Sequence, residues 1–132
     1  MGTGSGAVIL SVASRFPDSE WFAVDISTDA LEVARKNAET NRIPVEFVQG
    51  DLLAPFFDAN GLAKIAGKYV LILANLPYVG PGEDVGEDVV AEDPAIALYG
   101  GGERGFDLIV RLLGESLRLA ESCKGMRLAL EF

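Results

Sequence analysis

Apolar residues recur along the chain in short runs that alternate between strand-like stretches and helical spacing. Strand-like runs occupy residues 21–26, 45–51, 69–74 and 126–132. Apolar residues have helical spacing over residues 7–16 and again from Phe106 onward. Another predicted helix begins at a cap at Ser27 or Thr28 and ends at Asn41. A weaker helix or irregular crossover is predicted over 57–68 and a long loop over 80–104. This order predicts an open, mainly parallel α/β sheet.

The periodic positions also predict which helix faces are buried. In the second helix Leu31, Ala34 and Ala38 share one face. In the first helix Val8 and Val12 lie one turn apart and predict burial. The last helix has its apolar positions at Ile109, Val110, Leu113, Leu117 and Ala120.

Composition limits the possible functions. The chain has 132 residues, 49% of them hydrophobic, which suits one folded domain. No apolar run approaches the ~20 residues that a membrane helix needs, so no membrane partner is expected. The absence of histidine argues against the usual zinc sites and Ser-His-Asp catalysis, and no metal is expected. A single cysteine, Cys123, suits the cytosol, so a cytoplasmic protein is predicted. The net charge of −9 disfavours nucleic acid as a direct substrate.

A glycine-rich loop, Gly2-Thr3-Gly4-Ser5-Gly6, opens the first predicted helix. Glycines let the backbone turn tightly and let a ligand approach the amides at a helix start. A loop without function is the alternative. About twenty residues later Asp25 ends a strand, where a carboxylate can hold a ribose hydroxyl pair. A strand is expected before such a loop, and only Met1 precedes it, so we expect a chain truncated at its N-terminus.

Two further strand ends carry polar or aromatic residues. Asp51 closes the strand at 45–51 and can accept from an adenine amino group, although a turn-forming aspartate is the alternative. Asn75-Leu76-Pro77-Tyr78 follows the apolar run at 69–74, at the sheet edge where open α/β folds bind ligands. The Asn75 side-chain oxygen and the Leu76 carbonyl can accept the two hydrogens of an amide or aromatic amine. Pro77 fixes the turn and Tyr78 offers a face to a planar group.

At these residues the chain resembles class I S-adenosylmethionine-dependent methyltransferases, and within them the HemK/PrmC family. That family methylates the glutamine side chain in the Gly-Gly-Gln motif of peptide release factors. The resemblance runs through GTGSGA, FPDSEWFAVDIS, VEFVQGDLL, ANLPYV and PAIALYGGGERGFDLIVRLL. It implies a single Rossmann-like methyltransferase domain over residues 1–132, with helices on both faces of the sheet. It also implies that the first strand, an N-terminal helical domain and the last two strands are absent.

The resemblance also implies roles for individual residues. S-adenosylmethionine would be contacted by the glycine loop, by the ends of the next two strands and by the asparagine, namely Gly2, Thr3, Gly4, Gly6, Asp25, Ile26, Asp51, Leu52 and Asn75. The substrate amide would be contacted by Asn75, Leu76 and Tyr78, with Asn75, Pro77 and Tyr78 forming the catalytic turn. The family usually has Pro-Pro where this chain has Leu76-Pro77. Asn-Leu-Pro-Tyr is also the form in ribosomal RNA adenine dimethyltransferases.

Two alternatives to a release-factor methyltransferase therefore remain. One is a methyltransferase for adenine amino groups in RNA or DNA, and the other is a non-catalytic fragment that keeps the fold. The missing strand gives a structural prediction. In the family it lies between the strands that correspond to 21–26 and 69–74. We therefore expect those two to flank an open lane, about 9–10 Å apart because neighbouring strands are ~4.8 Å apart.

Overall fold

The computed structural model describes residues 1–80, 100–102 and 105–131, in which helices and strands alternate. The helices are α1 (Ala7–Ala13), α2 (Thr28–Asn41), α3 (Ala59–Ile65) and α4 (Asp107–Ala120). The strands are β1 (Phe22–Asp25), β2 (Glu46–Gln49), β3 (Tyr69–Asn75) and β4 (Gly125–Glu131). The predicted order is confirmed. The crossover predicted over 57–68 contains α3 after a 3-10 turn at Ala54–Phe56, and most of the predicted loop 80–104 lies outside the described residues.

The strands form two parallel pairs. In the first pair Phe22 of β1 lies opposite Glu46 of β2, and in the second Tyr69 of β3 lies opposite Gly125 of β4. Parallel pairing with a helix in each connection confirms the α/β class. Over the described ranges no hydrogen-bonded ladder joins β1 to β3, as the open-lane prediction required.

The first residues of the chain enter the lane between the two pairs at its carboxyl end. The Met1 nitrogen donates to the carbonyl of Leu73 at 2.7 Å, and the Thr3 nitrogen donates to the carbonyl of Val24 at 3.2 Å. Burial lowers the pKa of the Met1 amino group, and the negative charge of Asp25 opposes that shift. The rest of the lane is a cavity of about 660 Å³ whose lining includes Val8, Val24 and Ile72. Among the described residues, backbone from the chain start therefore enters the lane at the edge where the strands end.

The core lies beside this cavity and draws on both strand pairs. Val24 of β1, Ile72 of β3 and Leu112 of α4 belong to one buried cluster. Phe22 packs edge-on against Phe56 with 5.8 Å between the ring centroids. Because apolar contacts of this kind supply most of the folding free energy, they hold the two pairs in one body without a ladder between them.

Helix faces agree with the predictions in α2 and differ from them in α1 and α4. In α2 the predicted Leu31, Ala34 and Ala38 are buried, and the Ser27 hydroxyl accepts from the Ala30 nitrogen at 3.2 Å as an N-cap. In α1 Val8 is half exposed, which corrects the prediction of a buried helix. The buried residues of α4 are Ile109, Leu112, Ser116 and Leu119, whereas Val110, Leu113 and Leu117 are exposed. The apolar spacing there predicted the helix, and of the positions that carried it Ile109 is buried whereas Val110, Leu113 and Leu117 face outward.

None of the helices in the described ranges is long and apolar enough to cross a membrane.

Candidate active site

The glycine loop (Gly2–Gly6) lies against two of the strand ends. Gly2, Gly4 and Gly6 all have φ between 51° and 83°, a region that side chains with a Cβ rarely adopt. A Cβ built on Gly2 would lie 3.2 Å from the carbonyl oxygen of Asn75, tighter than most real contacts. At Gly4, by contrast, a Cβ would meet nothing within 4 Å. The loop therefore packs on the end of β3 at one glycine and faces open space at another.

Asp25 connects the glycine loop to the start of α2. Its Oδ2 accepts from the Gly4 nitrogen and its Oδ1 from the Ser27 nitrogen, each at 2.9 Å. A carboxylate has about four lone-pair sites, so both oxygens can still accept from a ligand hydroxyl. The neighbouring Ile26 side chain is half exposed. Asp25 thus shapes the loop and keeps acceptor capacity for the predicted ribose contact.

Asp51 directly follows Gly50, the residue through which the end of β2 contacts the end of β1. The Gly50 nitrogen donates to the Asp25 carbonyl at 3.0 Å, so the two strand ends adjoin. Arg111 of α4 donates from Nη2 to Asp51 Oδ2 at 2.8 Å, and this hydrogen bond raises the pKa of Arg111. The other carboxylate oxygen remains for the predicted adenine contact. Leu52, next in sequence, is buried.

The Asn-Leu-Pro-Tyr turn (residues 75–78) completes the edge. Asn75 is exposed, and its side chain makes no hydrogen bond within the described part of the chain. Leu76 is buried, whereas the Tyr78 side chain is 43% exposed. Glycines hold the far side of the turn, since a Cβ at Gly105 would collide with the Tyr78 carbonyl. The turn therefore presents an amide and an aromatic ring beside the glycine loop.

All four predicted strand-end signals thus lie along one edge. Hydrogen bonds connect Asp25 to the glycine loop and to the segment that carries Asp51, and Gly2 closely approaches the backbone of Asn75. The sequence interpretation missed Arg111 and Glu115, which bind this edge from α4, and Asn37, whose side chain donates to the Ser5 carbonyl at 2.9 Å. Their positions on polar helix faces were visible, but their partners lie far away in sequence.

Comparison with known proteins agrees with this geometry. The sequence profile of a family described as "Methyltransferase domain" matches residues 1–76, more than half of the chain. The chain belongs to that methyltransferase domain family. Its members use a methyl donor, and the glycine loop, Asp25 and Asn75 all fall within the matched residues.

Several curated relatives share 36–42% sequence identity with this methyltransferase domain. A release factor glutamine methyltransferase of Deinococcus radiodurans is 37% identical over 117 residues, covering 88% of this chain and 38% of the relative. One of the same name from Bacillus subtilis is 42% identical over 105 residues, covering 78% and 34%. A ribosomal protein uL3 glutamine methyltransferase of Burkholderia pseudomallei is 36% identical over 121 residues, covering 88% and 38%. The chain therefore spans about two fifths or less of these relatives' length.

Proposed function

We propose that the protein transfers a methyl group from S-adenosylmethionine to the side-chain amide nitrogen of the glutamine in the Gly-Gly-Gln motif of a peptide chain release factor. The observation that carries this proposal is the close approach of Gly2 to the backbone of Asn75, where an added Cβ would lie 3.2 Å from the carbonyl oxygen. This close approach supports a donor site beside a turn whose oxygens can accept the hydrogens of an amide. The names of the relatives support glutamine as the acceptor.

The residues of the edge fit the donor. Gly4 faces open space, Asp25 keeps lone pairs for ribose hydroxyls, and one oxygen of Asp51 is left for the adenine amino group. When bound, S-adenosylmethionine supplies a methyl group on a positively charged sulfur. Thr3, Gly6, Ile26 and Leu52 complete the proposed set of donor contacts.

The Asn-Leu-Pro-Tyr turn would hold the acceptor. An amide nitrogen is a poor nucleophile because its lone pair is delocalised, so orientation and fixed dipoles must do most of the catalysis. The Asn75 Oδ1 and the Leu76 carbonyl each accept one amide hydrogen, which turns the nitrogen toward the donor. Pro77 fixes that geometry, and the exposed Tyr78 ring packs on the planar amide. The methyl group leaves the sulfur for the amide nitrogen, so S-adenosylhomocysteine is the second product, and the displaced amide proton leaves to water.

A methyl-transfer assay with isotopically labelled S-adenosylmethionine tests the proposal on the protein at its full natural length. Release factor, ribosomal protein uL3 and RNA are offered in parallel, with a release factor whose Gly-Gly-Gln glutamine is replaced by alanine as the matched control. We expect label on the release factor and none on its alanine variant. Label on RNA would establish the adenine alternative, which the net charge of −9 disfavours. Label on no acceptor would favour the non-catalytic alternative.

A further inference from the structure

The three residues Asp51–Leu53 form a strained turn at the edge of the site. Leu52 has φ of 48°, a left-handed conformation that residues with a Cβ rarely adopt. Its side chain is nonetheless buried in the core cluster. Strained backbone of this kind persists only where surrounding contacts hold it, and it clusters at functional sites.

Two side chains of α4 supply such contacts. Glu115 Oε2 accepts from the Leu53 nitrogen at 2.9 Å, directly after the strained residue. Arg111 Nη2 donates to Asp51 Oδ2 at 2.8 Å and lies 3.7 Å from Glu115 Oε1. The turn is therefore fixed on both sides of Leu52 by residues about sixty positions away in sequence. The Glu115 side chain is only 18% exposed, so little water competes for its hydrogen bond.

The helix α4 is also connected by hydrogen bonds to the segment that follows the Asn-Leu-Pro-Tyr turn. The Leu108 nitrogen, in the first turn of α4, donates to the Gly100 carbonyl at 3.3 Å. Gly100 in turn donates to the carbonyl of Val79, next to the Asn-Leu-Pro-Tyr turn, at 3.3 Å. One helix thus contacts both the Asp51–Leu53 turn and the segment that follows Tyr78.

We propose that Glu115 and Arg111 are positioning residues that hold the Asp51–Leu53 turn in the shape that receives the adenine ring. Glu115 keeps the backbone at Leu53 in place, and Arg111 fixes one oxygen of Asp51 so that the other faces the ligand. This inference rests on the proposed donor site. It assigns recognition of the adenine amino group in part to α4, which acts through its hydrogen bonds to the Asp51–Leu53 turn.

The test compares two probes by calorimetric titration of the protein at its full natural length. One is S-adenosylhomocysteine, and the other is S-inosylhomocysteine, in which an oxygen replaces the adenine amino group. Glu115→Ala is expected to weaken S-adenosylhomocysteine roughly tenfold, the effect of losing one hydrogen bond to a charged group, and to change S-inosylhomocysteine much less. Glu115→Gln is expected to bind nearly as the unsubstituted protein does, because its amide oxygen can still accept from Leu53. Glu121→Gln, on an exposed residue at the end of the same helix, is the charge-matched control.

Arg111→Met serves as a second variant, because that side chain is 48% exposed and its loss leaves the core intact. It too is expected to reduce the preference for the adenosyl probe. Equal weakening of both probes by Glu115→Ala, with the preference intact, would overturn the proposal and leave Glu115 a purely structural role. Unchanged binding of both probes in Glu115→Ala and Arg111→Met would overturn it as well. Binding of neither probe by the unsubstituted protein would refute the proposed function itself, and this inference with it.

Discussion

Replacing Asp25 by asparagine tests the centre of the proposed donor site. Both carboxylate oxygens accept a backbone hydrogen bond at 2.9 Å, from Gly4 and from Ser27. Asparagine keeps the shape but has only one oxygen, so its amide group must face one of these two N–H donors. A hydrogen bond to a charged group contributes about 1.5–3 kcal/mol when buried. Because the Gly4 contact is exposed and water can replace it, we expect a loss of about 1 kcal/mol in the free energy of unfolding.

The effect on the donor should be larger than the effect on stability. Asp25→Asn removes the charge that would accept from the ribose hydroxyls and also frees the Gly4 nitrogen that shapes the loop. We expect the affinity for S-adenosylhomocysteine to fall by about 1–3 kcal/mol, or about 5- to 150-fold in Kd. Asp29→Asn is the matched control, since this exposed acid in the first turn of α2 lies near Asp25 in sequence. We expect it to leave donor affinity unchanged.

A double-mutant cycle separates the ribose contact from the effect on the loop. The second ligand is the 2′-deoxyribose analogue of S-adenosylhomocysteine, titrated by calorimetry against both proteins. The unsubstituted protein should lose affinity when the hydroxyl is removed, whereas Asp25→Asn should lose much less. If Asp25→Asn binds S-adenosylhomocysteine with unaltered affinity, or if the two losses simply add, Asp25 makes no ribose contact and only orders the glycine loop.

Three further predictions concern turnover, stability and assembly. Asn75→Ala should lower turnover by an amount that corresponds to about 2–4 kcal/mol of lost transition-state stabilisation, while barely changing donor affinity. Steady-state rates and calorimetry would check this, and unchanged turnover would show that Asn75 has no catalytic role. Arg42→Gly should raise the free energy of unfolding by about 0.5–1 kcal/mol, because Arg42 ends α2 with a left-handed φ of 55° that glycine adopts more easily. If a denaturant titration shows that Arg42→Ala raises the free energy of unfolding as much, that reason is wrong. The 132-residue chain alone should melt without a sharp transition or should associate, because β1 and β3 each have an edge without a partner strand among the described residues. A cooperative melt of a monomer, independent of concentration, would refute this.

The sequence by itself determined the class of the fold and the edge that carries the candidate site. Alternating periodicities predicted the four strands and the helices α1, α2 and α4, because strands read as apolar runs and helices repeat near 3.6 residues. They left α3 open between a weak helix and an irregular crossover. The chemistry of the edge followed from local rules as well. Glycines at positive φ, an acid at one strand end and Asn-Leu-Pro-Tyr at another are all readable along the chain, and parallel strands bring their carboxyl ends together.

Tertiary structure decided what depends on partners distant in sequence. Apolar spacing could not tell which side of α4 is buried, since Val110, Leu113 and Leu117 repeat as regularly as Leu112 and Leu119 do. It could not show that Glu115 and Arg111 hold the turn around Leu52, because helical periodicity records which residues share a face and not what that face meets. The left-handed conformation at Leu52 is the clearest case: nothing local favours it in leucine, and only contacts made after the chain has folded hold it.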